Sequence, residues 1–531
     1  MGKLWFGGNI YTLTEEAQQV ESVFTKADQI IALGGKKELE EKYQDDISEK
    51  IDLKGATMLP GFVDSHLHLI GHGETLIRLD LSSFTKKSDV IHAVKEYSNQ
   101  FSNGEWIIGE GWNENLWEEV EPITRFELDE IISDSPVLLK RVCRHAIVVN
   151  SKALELASIT NETDCPAGGV MEKNEAGELT GLLKEQAQEL IFQVLPMTSV
   201  EYLEKAMTAA IKDAHKLGLT GGHTEDLNYY SGFQDTYGTF EKVIKQKQMK
   251  FRAHLLVHHE VVDEMKNAGY SPYSGDKWIE FGAMKIFADG ALGGRTALLS
   301  HPYADAPSTN GVAIFSEEQL NELFAKARRL DLPVAIHTIG DLAFEYALNA
   351  IEANPITTGR DRIIHAQILN KELIERAKKL PSLILDLQPR FVASDFPWVI
   401  DRIGADRMEF CYAWKTLIDS GIPCAGGSDA PIEPLNPLWG IHAAVTRTNK
   451  DDIAGTVYNE KERLSVYEAV SLFTKGSAYA ICHEHDRGMM KEGFLADFTI
   501  LEKDIFSVPE NEIAELKVKM TVIGGDIVYH S

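Results

Sequence analysis

The second half of the chain alternates between two apolar rhythms. Leu320, Leu323, Phe324, Ala327 and Leu330 recur at helical spacing, and Pro333 then opens the short run Val334-Ala335-Ile336-His337. A second helical rhythm passes through Phe344, Ala347, Leu348 and Ile351, with Asp341 placed to cap its start. Arg362-Ile363-Ile364-His365 follows as another strand, then a helix from Glu372 to Leu380 and the strand Leu383-Ile384-Leu385-Asp386-Leu387. A last helical stretch, Trp414 to Ile418, precedes Pro423-Cys424-Ala425-Gly426-Gly427-Ser428-Asp429. Repeated strand–helix units with short apolar strands predict a parallel sheet covered by helices. Polar residues close these strands at their C-terminal ends, where a (β/α)8 barrel gathers its active site.

The two ends of the chain read differently. Leu4 to Tyr11 and the run Ile30-Ile31-Ala32-Leu33-Gly34 are short strands set off by glycine turns, and Ala496 to Leu501 and Val518 to Gly525 repeat that character. Together they predict a small antiparallel β-sandwich domain, residues 1–57 with 486–531, beside an α/β barrel of residues 58–485. Residues about 75–215 are too many for one crossover, which predicts an insertion there.

At the entry to the barrel, Thr57 to Val63 predicts a buried strand broken by Pro60-Gly61, leading into Asp64-Ser65-His66-Leu67-His68-Leu69. Alternate strand residues share a face, so His66 and His68 project together and make half of a divalent-metal site. Taken alone, His-x-His reads equally as a hydrogen-bonded polar pair. The strand-ending His337, His365 and Asp429 tip the balance toward metal.

Composition narrows the field. A chain of 531 residues with 44% hydrophobic positions can bury a large core and suits an elaborated barrel. Its 53 basic against 81 acidic residues, a net charge of −28, repel phosphate backbones and anionic lipid, and also serve plain solubility. Nucleic-acid and membrane partners are therefore not expected. Cys143, Cys165, Cys411, Cys424 and Cys482 form no C-x-x-C pair and read as reduced thiols. No apolar run is long enough to span a bilayer, and the start lacks a signal-peptide core, so a cytoplasmic enzyme is the expectation.

Five motifs in order resemble the amidohydrolase superfamily of metal-dependent hydrolases, in the branch that includes N-substituted formamide deformylases. They are Pro60 to His68, Lys285-Ile286-Phe287-Ala288-Asp289-Gly290-Ala291-Leu292-Gly293, His337-Thr338-Ile339-Gly340-Asp341, Ile364-His365-Ala366-Gln367 and Gly427-Ser428-Asp429-Ala430-Pro431. Gly493 to Phe498 is similar to the superfamily's returning β segment. The resemblance implies a site of two divalent ions. His66, His68 and Asp429 would hold the inner ion, and His337 and His365 the outer one. Lys285, carboxylated by carbon dioxide, would bridge them. Zinc is the first choice, with iron, manganese or nickel suited to the same ligands. An ion pair with Asp289 is the structural alternative for Lys285.

Asp429 would take a proton from metal-activated hydroxide and return it to the departing nitrogen. Around this centre, His145, His223, Arg295, Trp112 and Phe391 are candidates for substrate contact, with Trp117 and Trp398 as further aromatic neighbours. The expected reaction is hydrolysis of a non-peptide carbon–nitrogen bond in a small molecule, an amide or N-substituted formamide. Aromatics and few lysines in the segments after the strands suggest a neutral, largely apolar substrate. A mononuclear aminohydrolase of the cytosine-deaminase type, with Lys285 unmodified, and a non-catalytic scaffold are the alternatives. The resemblance further implies a homodimer.

Overall fold

The computed structural model describes residues 2–114, 117–118, 121–141, 146–166, 169–195, 198–452 and 454–531. Two compact units emerge: residues up to His72 together with Ala210–Ser531, and Gly73–Ala209. Among the described residues no helix is long and apolar enough to cross a membrane.

The larger unit is organised by eight parallel strands. In chain order they are β1 (Phe62–Leu67), β2 (Leu219–Thr224), β3 (Arg252–His258), β4 (Ile279–Phe287), β5 (Val334–Thr338), β6 (Asp361–His365), β7 (Leu383–Leu387) and β8 (Cys424–Gly426). Each is hydrogen-bonded to its neighbour in sequence, from β1 through to β8. β2, β6 and β7 are buried along their whole length. This is what a parallel sheet with helices outside and side chains inside demands.

The gap between β8 and β1 is bridged by the segment after β8. The Asp429 N–H donates to the His66 carbonyl at 2.8 Å, and the His68 N–H donates to the Ala430 carbonyl at 2.8 Å. Asp64, buried at the seam, accepts from the N–H groups of His66 at 3.0 Å and Ser428 at 3.0 Å. A near-closed barrel results.

The helices fall close to their expected places, at Glu317–Arg329, Asp341–Ala353, Lys371–Ala377 and Trp414–Asp419. Asp341 differs in its role. Gly340 holds the N-cap position, and the Asp341 carboxylate instead accepts the Ser300 N–H at 2.9 Å.

Both chain ends join in one eight-stranded sheet that contains Gly2–Tyr11, Thr57–Pro60, Phe498–Leu501 and Val518–Ile523. The sheet is mixed rather than antiparallel throughout. Gly2–Tyr11 pairs in parallel with Ile47–Asp52 and with Thr57–Pro60. The helix Lys36–Lys42 intervenes before Ile47–Asp52 and supplies the crossover that parallel pairing needs. Pro60-Gly61 is the hinge between this sheet and β1. A Cβ at Gly61 would come within 2.5 Å of the Thr220 side chain, so the chain passes β2 there only as glycine.

The second unit, Gly73–Ala209, carries its own six-stranded sheet, from Gly169–Lys173 at one edge to Leu79–Asp80 at the other. Its core gathers Trp112, Trp117, Leu128, Val137, Leu139 and Val148.

Candidate metal centre

Strand alternation delivers the site. His66 lies near the end of β1, with His68 just beyond it. Lys285 lies in β4, in register with Ala335 of β5, His337 is the penultimate residue of β5 and His365 the last of β6. Asp429 Oδ1 is 3.4 Å from Nε2 of His66 and 3.4 Å from Nε2 of His68. One ligand atom from each of these three residues falls within 4.8 Å of the others. Lys285 Nζ sits 3.0 Å from His66 Nε2, and the His337 and His365 rings are 4.4 Å apart. His66 and His365 link the two halves, with ring centroids 6.0 Å apart. The structure thus brings together all six residues that the family resemblance named.

Two of these residues pay in backbone strain. His365 has φ of 78° and Asp429 φ of 59°, both in the left-handed region that side chains rarely enter. Such conformations cost about 1–3 kcal/mol each and persist where surrounding structure holds them. At Asp429 the bond to the His66 carbonyl does the holding.

Hydrogen bonds set the imidazole tautomers. His68 Nδ1 is 2.7 Å from the Glu225 carbonyl, which can only accept, so Nδ1 carries a proton and Nε2 faces Asp429. His337 Nε2 donates to the Gly290 carbonyl at 3.2 Å, leaving its Nδ1 free to ligate. His66 Nδ1 and His365 Nδ1 are buried without a partner, as is Glu225 Oε1.

Electrostatics fit a cation. Burial disfavours a charged His68, yet the Asp429 hydrogen bond and the Glu225 charge raise it to about 9, so its surroundings favour positive charge. Burial also pushes Asp429 upward, but the His68 bond and the charges of His365, His68 and Lys285 outweigh it and hold the carboxyl below its ordinary value. Burial draws Lys285 down to about 8. A fully buried amine whose closest polar partner is an imidazole is prepared to lose its proton. Two imidazoles, a carboxylate and orphaned buried donor atoms suit a divalent metal.

The Asp289 alternative for Lys285 falls away. The Asp289 carboxylate is saturated by the N–H groups of Leu298 at 2.8 Å, Ile339 at 3.0 Å and Gly340 at 2.8 Å. It braces the β4 and β5 loops instead.

The substrate-contact candidates divide. The Phe391 ring lies 5.9 Å from His365, beside the centre. His223 points into the barrel but low in it. It pairs in register with His254, which pairs with Glu280, five residues before Lys285. There it lines a cavity of about 30 Å³ with Thr220, His254 and Glu280, whose lining includes neither His66, His68 nor Asp429. Arg295 holds Asp305 through two bonds, at 3.0 and 2.8 Å, so its guanidinium is committed to an exposed ion pair. Trp112 is 1% exposed in the core of the Gly73–Ala209 unit, its indole N–H donating to the Leu139 carbonyl at 3.3 Å, and Trp117 packs beside it. Core packing, not substrate contact, is its role. His145 lies outside the described residues.

Glu225, Tyr229 and His258 escaped the sequence reading. Glu225 is fully buried directly after β2, 3.6 Å from His68 Nδ1, and accepts a hydrogen bond from Tyr229. His258 ends β3 and pairs in register with Lys285. The rule that barrel sites collect at C-terminal strand ends favours Glu225 over His223, two residues earlier in the same motif.

Comparison with known proteins agrees with this geometry. The model of the amidohydrolase family matches residues 49–529. The Bacillus subtilis (strain 168) protein YtcJ is 53% identical over 100% of this chain and 99% of its own length. The N-substituted formamide deformylase of Arthrobacter pascens is 25% identical over 98% of this chain and 97% of its own. Among solved structures, an uncharacterized metal-dependent hydrolase from Pyrococcus horikoshii OT3 superposes with a TM-score of 0.81 at 30% identity, covering 96% of this chain and 99% of its own. With the barrel, the ordered motifs and these matches together, the chain belongs to the amidohydrolase family and is a hydrolase.

Proposed function

We propose that this protein hydrolyses a non-peptide carbon–nitrogen bond, an amide or N-substituted formamide, at a centre of two divalent ions. The observation that carries this reading is the convergence of His66, His68 and Asp429 beside a fully buried Lys285, with His337 and His365 next to them. His66, His68 and Asp429 would hold one ion and His337 and His365 the other, with Lys285, as its carboxylate, between them. Bound there, such ions would acidify water and polarise a substrate carbonyl.

The protein's own groups supply the rest. Asp429 Oδ1, set between two imidazoles, is positioned to accept a proton and return it to the leaving nitrogen. The Glu225 carbonyl fixes the His68 tautomer, and Asp64 clamps the seam so that His66 and Asp429 keep their spacing. Phe391 sets an apolar ring edge-on against His365. The N-substituted formamide deformylase of Arthrobacter pascens supports the choice of bond.

The test is to load the purified protein with divalent metal and bicarbonate, then compare kcat/KM for N-benzylformamide, a dipeptide, a lactone and a phosphotriester. Two ions per chain and preference for the formamide are expected. One ion per chain with an unmodified Lys285 would favour the mononuclear aminohydrolase. Preference for the lactone or phosphotriester would overturn the carbon–nitrogen assignment.

A further inference from the structure

A buried cation stands in the rim beside the centre described above. Arg390 follows β7 by three residues and is 9% exposed. It immediately precedes Phe391, whose ring packs 5.9 Å from His365. Its Nε and Nη1 are buried and donate to nothing in the protein.

Arg362 Nη1 and Arg447 Nη2 are also buried without a partner, but those guanidinium groups are held by other hydrogen bonds. Arg252 is hydrogen-bonded to Asp497, Arg362 to Asp386, and Arg447 to the carbonyls of Tyr412 and Tyr458. In a chain with 81 acidic residues, carboxylates are not scarce. The lack of a hydrogen-bonding partner at Arg390 is therefore a property of the place.

Its surroundings define what it would take. Glu433, buried and four residues after Asp429, has Oε2 3.3 Å from Arg390 Nε but out of line for a hydrogen bond. The guanidinium lies 5.8 Å from the Trp439 ring centroid, over which Lys450 Nζ also sits at 4.3 Å. His442, one turn along the same helix Pro437–Thr446, is buried with Nδ1 unpartnered. Burial, with Arg390 and Lys450 nearby, holds His442 down at about 4, so it is a neutral imidazole. A planar donor fork with unpartnered N–H groups beside an aromatic wall has the chemistry to receive a planar anion, while Lys450 is itself paired with Asp451 at 2.7 Å.

We propose that Arg390 is a specificity-determining residue that binds a carboxylate of the substrate, set back from the bond that is cleaved, with Glu433 occupying its flank until that ligand arrives. This rests on the hydrolase reading of the metal centre. It revises the expectation of a wholly neutral substrate: the amide or formamide would carry an acid group, as an N-acylated amino acid does.

Binding without turnover separates this proposal from the bond assignment. Calorimetry on the metal-loaded protein compares 3-phenylpropionate with 3-phenylpropionamide, in wild type, Arg390→Met, Arg390→Lys and Glu433→Gln. The wild type is expected to favour the carboxylate by about 10–100-fold, the range of one charge-assisted bidentate contact. Arg390→Met is expected to lose that preference, Arg390→Lys to keep part of it, and Glu433→Gln to strengthen it a few-fold. Glu433→Gln keeps the question open to measurement should Arg390→Met fail to fold. A wild type without preference, or a preference that survives in Arg390→Met because the metals alone bind the acid, overturns the proposal. So does a Glu433→Gln protein with unchanged carboxylate affinity. Failure of the formamide in the substrate panel with this preference intact would instead count against the bond assignment alone.

Discussion

Inside the barrel, beneath the candidate metal centre, Arg362 and Asp386 form an ion pair that is 1% and 0% exposed. Arg362 Nε donates to Asp386 Oδ2 at 2.7 Å, and its Nη2 donates to the Ser65 carbonyl, one residue before His66. Replacing Arg362 by Met keeps most of the stem's volume but strands the carboxylate. Breaking a buried pair in this way costs about 3–5 kcal/mol.

The carboxylate has one escape, which bounds the loss. Asp386 can protonate, and holding an ordinary carboxyl neutral costs about 4 kcal/mol at pH 7 and about 1.5 kcal/mol at pH 5. The sign follows: the variant's folded-state pKa is raised, so its penalty grows as pH rises. A unit of about 400 residues unfolds with an entropy near 0.8 kcal/mol/K, which converts these losses to about 5 °C at pH 7 and about 2 °C at pH 5.

The assay is scanning fluorimetry of metal-loaded protein at one scan rate, with wild type, Arg362→Met, Asp386→Leu and the double variant at both pH values. The double variant removes both charges and is expected to return to within about 1 kcal/mol of wild type. A fall below 1 °C at pH 7, an equal fall at both pH values, or a double variant no better than Arg362→Met would each refute the reasoning.

Three further outcomes follow from the same geometry. Lys285→Ala is expected to lose activity together with one of two metal equivalents, and short carboxylic acids to restore part of both; full activity without additives, read beside elemental analysis, would remove Lys285 from the centre. Asp429→Asn keeps an oxygen beside His66 and His68 but no proton acceptor, so kcat is expected to fall by about 10²–10⁴ while metal content falls far less; parallel loss of both would leave Asp429 a ligand only. His483 contacts Asp486 at 2.9 Å and Glu280 at 3.1 Å, and although burial opposes its charge, those partners raise it to about 9. Its stabilisation is complete below about pH 6.5 and lost as pH rises through about 9, so His483→Gln is expected to cost about 1–2 kcal/mol at pH 6, after allowance for partial exposure, and little at pH 10. Equal costs at the two pH values, measured as thermal midpoints, would rule out the charge.

What was legible in the sequence was whatever local periodicity encodes. His337, His365 and Asp429 announced themselves because each lies near or just beyond the end of a short apolar strand, and the barrel collects strand ends at one face. His223 shows where that logic stops. Its alternation is right, since it does point inward, but height within the barrel depends on register between strands, and the pairing of His223 with His254 is written in no local pattern. Trp112 fails for another reason: a large aromatic reads the same whether it faces a substrate or a core, and only the packing of the Gly73–Ala209 unit decides.

Arg390 carries this one step further, because nothing about Gln388-Pro389-Arg390-Phe391 says whether a guanidinium will find a partner. A strand-ending position places it in the rim, and the acidic composition of the chain makes an ion pair the natural expectation. The fold does set Glu433 within ion-pair distance, at 3.3 Å, but at an angle that completes no hydrogen bond, and it leaves His442 neutral. The candidate metal ligands fall in motifs that can be read in order along the chain. Selectivity, by contrast, resides in which buried donors a particular fold leaves unsatisfied, and that is a property of three-dimensional geometry alone.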